Sequence, residues 1–233
     1  NILVFVLLQG MDGGSAFTYA YSTVPAEILN GQDIITTPSL WTNPDTGQQF
    51  QIPGLQPTPI PVYLTTITSM FMHGGWMHLL GNMLYLYIFG DNLENRLGHA
   101  KYLVFYLVCG VIASLSHVFS TTMMAQNSLI PSLGASGAIS GVLGAYMLLF
   151  PQRKVKVLML RWVMQVPAYV ALGLWIGLQI VSSLGVLGGG GDGVAYAAHI
   201  GGFIAGLLLI KLFAGKSKDN APSEPWIKRY VKE

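Results

Sequence analysis

The 233-residue chain is 52% hydrophobic and only 9% charged, with a mean hydropathy of +0.52; soluble domains carry roughly 25% charged residues. The composition therefore excludes an ordinary water-soluble globule, and a net charge of +2 offers no basic face to nucleic acid. The lone Cys109 sits in an apolar run, which excludes disulfides within the chain and predicts that it packs as a small hydrophobe rather than reacts.

In chain order, the apolar stretch 1–8 is too short to cross a bilayer and reads as the second half of a first membrane helix whose beginning is missing. From Gly10 to about Pro61 the composition turns to Pro, Gly, Thr, Asn, Asp and Gln with interspersed aromatics. A connection of that length points to a functional loop, lying either at the membrane interface or as a structured loop in solvent. Further spans are expected over about Gly75–Leu93, Ala100–Phe119, Leu133–Phe150, Trp162–Leu184 and Val194–Phe213, runs that approach the length a hydrocarbon core requires. The polar stretch Ser120–Pro131 and the glycine-rich Gly188–Gly193 connect them. The predicted fold class is all-α, a polytopic membrane bundle of six helices, with a membrane domain over 1–213 and a polar, basic cytoplasmic tail over 214–233.

Positive charge sets the sidedness. No Lys or Arg occurs before Arg96. The remainder fall after the second span (Arg96, Lys101), after the fourth (Arg153, Lys154, Lys156, Arg161) and from Lys211 onward. Six alternating spans put all three clusters on one side, the cytoplasm by the positive-inside rule. The long loop and the glycine loop then lie outside.

Sidedness converts spacing into depth. Ser136 opens the fourth span from its outer end, His199 lies one to two turns into the sixth, and His78 and Asn82 share a face of the second. A rise of about 1.5 Å per residue places all four within roughly 10 Å of depth. Polar side chains in a span are costly and normally face a bundle interior or a wet cavity, so four at one depth from three helices form a candidate site. Ser136, Ser140 and Gly144 also read as a small-residue packing seam, matched by Ala195, His199, Gly202 and Gly206 on the sixth span. Ser136 by itself reads more readily as a seam residue than as a nucleophile. Contact between the two seams would bring imidazole to hydroxyl, with neutral His199 as the natural base.

These residues resemble the rhomboid intramembrane serine proteases, bacterial-type and six-span. The matching motifs are His78-x-x-x-Asn82, Gly134-Ala135-Ser136-Gly137 and Ala198-His199-x-x-Gly202-x-x-x-Gly206, with Gly90, Glu94 and Gly98 at the inner end of the second span; the likeness covers about Thr65–Leu212. It implies an endopeptidase in which Ser136 is nucleophile and His199 general base, without a carboxylate. His78, Asn82 and the Ser136 backbone N–H would form the oxyanion hole. It implies single-span transmembrane substrates cut near their extracytoplasmic end, reached sideways from membrane lipid near the second and fifth spans, and no cofactor or metal. The setting expected is a bacterial plasma (inner) membrane with the site opening outward. Two positions depart from the family. Ser140 stands where some relatives place an aromatic ring against the histidine, and Pro61–Thr65 lacks a Trp-Arg pair that recurs before the second span. The alternative is a non-catalytic rhomboid-like protein that binds membrane clients; a small transporter with a histidine proton relay would call for broken helices or repeated halves, which are not found.

Overall fold

The computed structural model describes residues 1–42, 47–124, 126–159, 162–184 and 195–215. The glycine loop Gly188–Gly193, Arg161 and the tail beyond Gly215 lie outside the described residues. Two helices, His99–Met123 (α6) and Tyr196–Ala214 (α9), are long and apolar enough to cross a membrane.

α7 (Ser136–Leu149) is the centre of the molecule, and every residue from Gly137 to Tyr146 is buried. It stops where Pro151 can no longer donate to the helical ladder. Its neighbours are α6 and α9, and small residues set how close they come. A Cβ on Gly206 would strike the Gly141 carbonyl oxygen, and one on Gly202 the Gly137 carbonyl oxygen. A Cβ on Gly144 would in turn strike the Phe203 carbonyl oxygen. The two expected seams therefore meet backbone to backbone, as small-residue helix interfaces in lipid do. Cys109 is fully buried against Gly141 and serves as packing, as expected.

The stretch expected as the second span is one continuous helical run: α4 (Trp76–Tyr85), a π-helical stretch Leu86–Gly90 and α5 (Asp91–Leu97). Gly98, with φ of 81°, separates it from α6. At this end His99 Nδ1 lies 2.6 Å from Glu94 Oε1, and Arg153 donates to the Asn92 side chain.

Two differences from the sequence reading concern strands. The expected fifth span does not start at Trp162. Residues Lys154–Met159 (β3) and Trp162–Pro167 (β4) form an antiparallel hairpin, Lys154 opposite Pro167 and Met159 opposite Trp162, and only Ala168–Ser183 (α8) is helical. The reason is visible in the residues: Lys154-Val155-Lys156-Val157 alternates with period two and is β-branched, so the run belongs to a ladder. Pro167 then caps α8. In the long loop, Ser39–Thr42 (β1) pairs with Gln49–Ile52 (β2). The fold is thus mostly helical, with two short hairpins in place of an all-α chain.

The same loop holds the helices Ala16–Tyr21 (α1) and Pro25–Asn30 (α2). α1 is capped by the Ser15 hydroxyl, which accepts from the Thr18 N–H; α2 starts on Pro25 and ends on left-handed Gly31. The loop is structured: Val24, Ala26 and Leu55 make a small core of their own. Its inner edge is tied to the segment entering α7, with Thr23 bridging Ser132 in both directions and Ala26 N–H donating to the Ser128 carbonyl at 3.0 Å. Thr23 Oγ1 also lies 2.9 Å from the carbonyl of Thr65, where the short helix Thr65–Thr68 (α3) begins.

Glu27 is buried in this loop with one oxygen accepting from the Ile34 N–H at 3.2 Å and the other without a partner. Burial raises its carboxyl above the ordinary carboxylate range, the Ile34 contact opposes this, and Asp33 adds to it. A carboxyl that binds its proton more tightly when folded favours the fold below its unfolded pKa of about 4.3 and loses that contribution as pH rises through the folded value. Glu27→Gln keeps the acceptor and removes the charge. It is therefore expected to raise the unfolding temperature at pH 8 and leave it unchanged near pH 4; a difference independent of pH would contradict this.

Candidate active site

The N-terminal end of α7 is shaped by the turn before it. Gly134 has φ of 120°, a conformation that side chains resist, and its N–H donates to the Ser69 carbonyl at 2.9 Å. This turn delivers Ser136 to the first position of the helix, where a backbone N–H has no acceptor within the helix. A Cβ on Gly134 would sit 2.7 Å from His78 Nε2 and 3.9 Å from Asn82 Nδ2. Glycine here thus makes room for α4 as well as relieving the backbone.

Ser136 Oγ and His199 Nε2 are 2.8 Å apart, joining residues 63 positions apart in the chain. Both residues are half-buried. The approach follows directly from the α7–α9 seam, since Gly202, three residues after His199, lies against Gly137, one residue after Ser136.

His78 and Asn82 line the same turn from α4. The Gly74 N–H donates to His78 Nδ1 at 3.2 Å, which leaves the ring proton on Nε2, the nitrogen beside Gly134. Asn82 is buried and gives one amide hydrogen to the His78 carbonyl at 3.0 Å. Its second amide hydrogen remains for another acceptor. All four residues singled out from the sequence are therefore gathered about one turn: His78 and Asn82 face Gly134, two residues before Ser136, and His199 meets the Ser136 hydroxyl.

The chain before α4 is held in place by Gln9. Its amide donates to Thr18 Oγ1 at 2.8 Å and to the His73 carbonyl at 2.9 Å, and accepts from the His73 N–H at 3.0 Å. The His73 ring is fully buried, packs edge-on to His78 at 5.2 Å and has neither nitrogen hydrogen-bonded. Burial, reinforced by His78, pushes its pKa down to about 4, so it places no positive charge beside His78 at neutral pH.

Two residues that the sequence reading missed complete the site. Gln179 Oε1 of α8 lies 2.7 Å from His199 Nδ1. Trp175, one turn earlier, has its ring centroid 5.8 Å from that of His199 at 38°. The signal was present: Gln179 is an amide in an otherwise apolar helical run, and such a residue in a span usually has a polar partner. Ser140, at the position where some relatives carry an aromatic ring, turns its hydroxyl to the Ser136 carbonyl at 2.7 Å instead.

Comparison with known proteins places the chain in a family. The rhomboid domain profile matches residues 62–216. The chain is 33% identical over 159 residues to "Rhomboid protein 1, mitochondrial" of Saccharomyces cerevisiae, covering 66% of this chain and 43% of the relative. It is 36% identical over 148 residues to "Presenilin-associated rhomboid-like protein A, mitochondrial" of Danio rerio, covering 63% and 37%. With "RHOMBOID-like protein 5" of Arabidopsis thaliana it shares 34% over 143 residues, covering 61% and 41%. The chain spans less than half the length of each of these relatives. The profile match takes in every residue of the site except the loop residues before Val62, and it carries with it a polytopic helical membrane fold. The chain belongs to the rhomboid family.

Proposed function

We propose that the chain is an intramembrane serine endopeptidase that cuts single-span membrane proteins near the extracytoplasmic end of their helix. The observation that carries the reading is the 2.8 Å contact between Ser136 Oγ and His199 Nε2, with His78 and Asn82 facing the turn just before Ser136. In this mechanism His199 Nε2 takes the Ser136 proton as Oγ bonds to the substrate carbonyl carbon. The resulting oxyanion is received by His78 Nε2–H, Asn82 Nδ2–H and the Ser136 N–H, donors already aimed before charge develops. His199 then returns the proton to the departing amine, leaving an acyl-enzyme for water to hydrolyse. Neither Ser136 nor His199 is fully buried, which is consistent with access of that water.

The same reading includes six spans with the membrane domain over 1–213, the three basic clusters and the tail 214–233 facing the cytoplasm, and the long loop outside. Substrates arrive from lipid between the second span and α8. Gly or Pro near the cut eases the local unwinding they need. Charge supports sidedness alone. The relatives named above come from yeast, zebrafish and a plant, two of them mitochondrial by name, so they lend no support to the bacterial plasma membrane expected from the sequence.

The test is cleavage of a panel of single-span substrates by the full chain reconstituted in vesicles. Asn82→Ala is expected to lower kcat by ~10²–10³ with KM nearly unchanged. Because the Asn82 side chain makes its hydrogen bond locally, to the His78 carbonyl one turn away, the unfolding temperature should move little. Wild-type turnover in Asn82→Ala would remove it from the oxyanion hole.

A further inference from the structure

His199 is engaged at both ring nitrogens, and the two contacts require one tautomer. For Ser136 to give its proton, Nε2 must hold a lone pair, so the ring hydrogen must sit on Nδ1. The atom facing Nδ1 is Gln179 Oε1, at 2.7 Å, which can only accept. The Trp175 ring lies one turn away on the same face of α8, between the His199 imidazole at 5.8 Å and Phe203 at 6.2 Å. One contact settles where the proton sits and the other settles the plane of the ring. Ser140, whose hydroxyl is spent on the Ser136 carbonyl, contributes to neither.

The bond also links two parts of the molecule. α8 buries only Ala168 and Leu172, both in its first half. Trp175 and Ile176 pack against the core, while Leu174, Leu178, Ile180 and Val181 are exposed. A glutamine placed in such a run costs several kcal/mol unless its amide is partnered, and His199 is that partner.

We propose that Gln179 is a positioning residue: it holds His199 in the Nδ1–H tautomer, the form in which Nε2 can take the Ser136 proton. The inference rests on the protease reading of Ser136 and His199. A neutral amide here takes the place that a carboxylate holds in a three-membered serine protease site, orienting the imidazole without bringing a buried charge.

The experiment compares the full-length wild type with Gln179→Leu and Gln179→Glu in detergent micelles, with Ser136→Ala as the inactive baseline. Ring-nitrogen NMR of 15N-histidine protein, with the His199 signal assigned by its loss in His199→Ala, reads the tautomer directly. In the wild type the proton is expected on Nδ1. Gln179→Leu is expected to lose that preference and to lower kcat by roughly tenfold to a hundredfold at unchanged KM. Gln179→Glu offers an acceptor oxygen in either protonation state and should recover most of the turnover. A purely structural role for Gln179 would lower the unfolding temperature without moving the tautomer or separating kcat from KM. Wild-type protein with the proton on Nε2, or Gln179→Leu with wild-type kcat, overturns the proposal; the first of these needs no variant to fold. Failure of the wild type to cleave any substrate would instead count against the protease reading, and the tautomer measurement would still decide the role of Gln179.

Discussion

Ser136→Ala is expected to abolish cleavage of single-span substrates, a fall of ~10³-fold or more, while the protein unfolds at nearly the wild-type temperature. The asymmetry follows from how Ser136 is held. Its backbone carbonyl accepts the Ser140 hydroxyl at 2.7 Å, and the α7–α9 seam is made by its neighbour Gly137 and by Gly141. Alanine preserves both. What it removes is one hydroxyl, whose only hydrogen-bond partner among the described residues of the site is His199 Nε2. Nucleophile and base act as a unit, so His199→Ala should fall to a similar residual rate and the double variant hardly further. Cleavage rates measured in vesicles, together with unfolding curves, check this. Retained turnover in Ser136→Ala would move the chemistry to another residue.

The largest effect on folding is expected at Gly206. A side chain there would strike the Gly141 carbonyl oxygen and reach 2.6 Å from its carbonyl carbon and 2.8 Å from its Cα. All three are backbone atoms of a central, buried helix, so no rotamer change relieves the clash. α7 and α9 must separate instead, which also opens the close approach of Gly202 to Gly137. Gly206→Ala should cost about 1–3 kcal/mol as overpacking, and Gly206→Leu should leave no stable bundle. The buried Cys109 provides the readout. As the only thiol in the chain, it should react with a thiol-specific dye at far lower temperature in the Gly206 variants than in wild type. Gly177→Ala is the control. A Cβ there meets nothing within 4 Å, and the gain in helix propensity should leave α8 unharmed or slightly firmer. Equal thermal behaviour of Gly206→Ala and Gly177→Ala would mean that the seam is not the close contact described.

What could be read from the residues alone was whatever a helix repeats or a membrane penalises. The His78/Asn82 spacing, the small residues around Ser136 and the Gly202-x-x-x-Gly206 face each carry their partner's requirements on one helix. Depth then followed from charge, and the four side chains do converge on one turn. The hairpin of β3 and β4 was hidden because its second strand has Gln165 as its single polar side chain and runs straight into α8; counting apolar residues favoured one long span, although the Lys154–Val157 alternation already spoke for strand. The Thr23–Ser132 bridge joins segments that share no pattern and could not be read locally. Gln179 was overlooked for a related reason. Its polarity is visible in the sequence, but the direction it faces depends on how α8 leans on α9, a tertiary matter.

The most direct measurement is covalent labelling of the detergent-solubilised protein with a serine-reactive fluorophosphonate, mapped by mass spectrometry of the α7 peptide. The account predicts an adduct on Ser136 in the wild type and its loss in His199→Ala. An unmodified Ser136 in folded wild-type protein, or equal modification with and without the histidine, would contradict it.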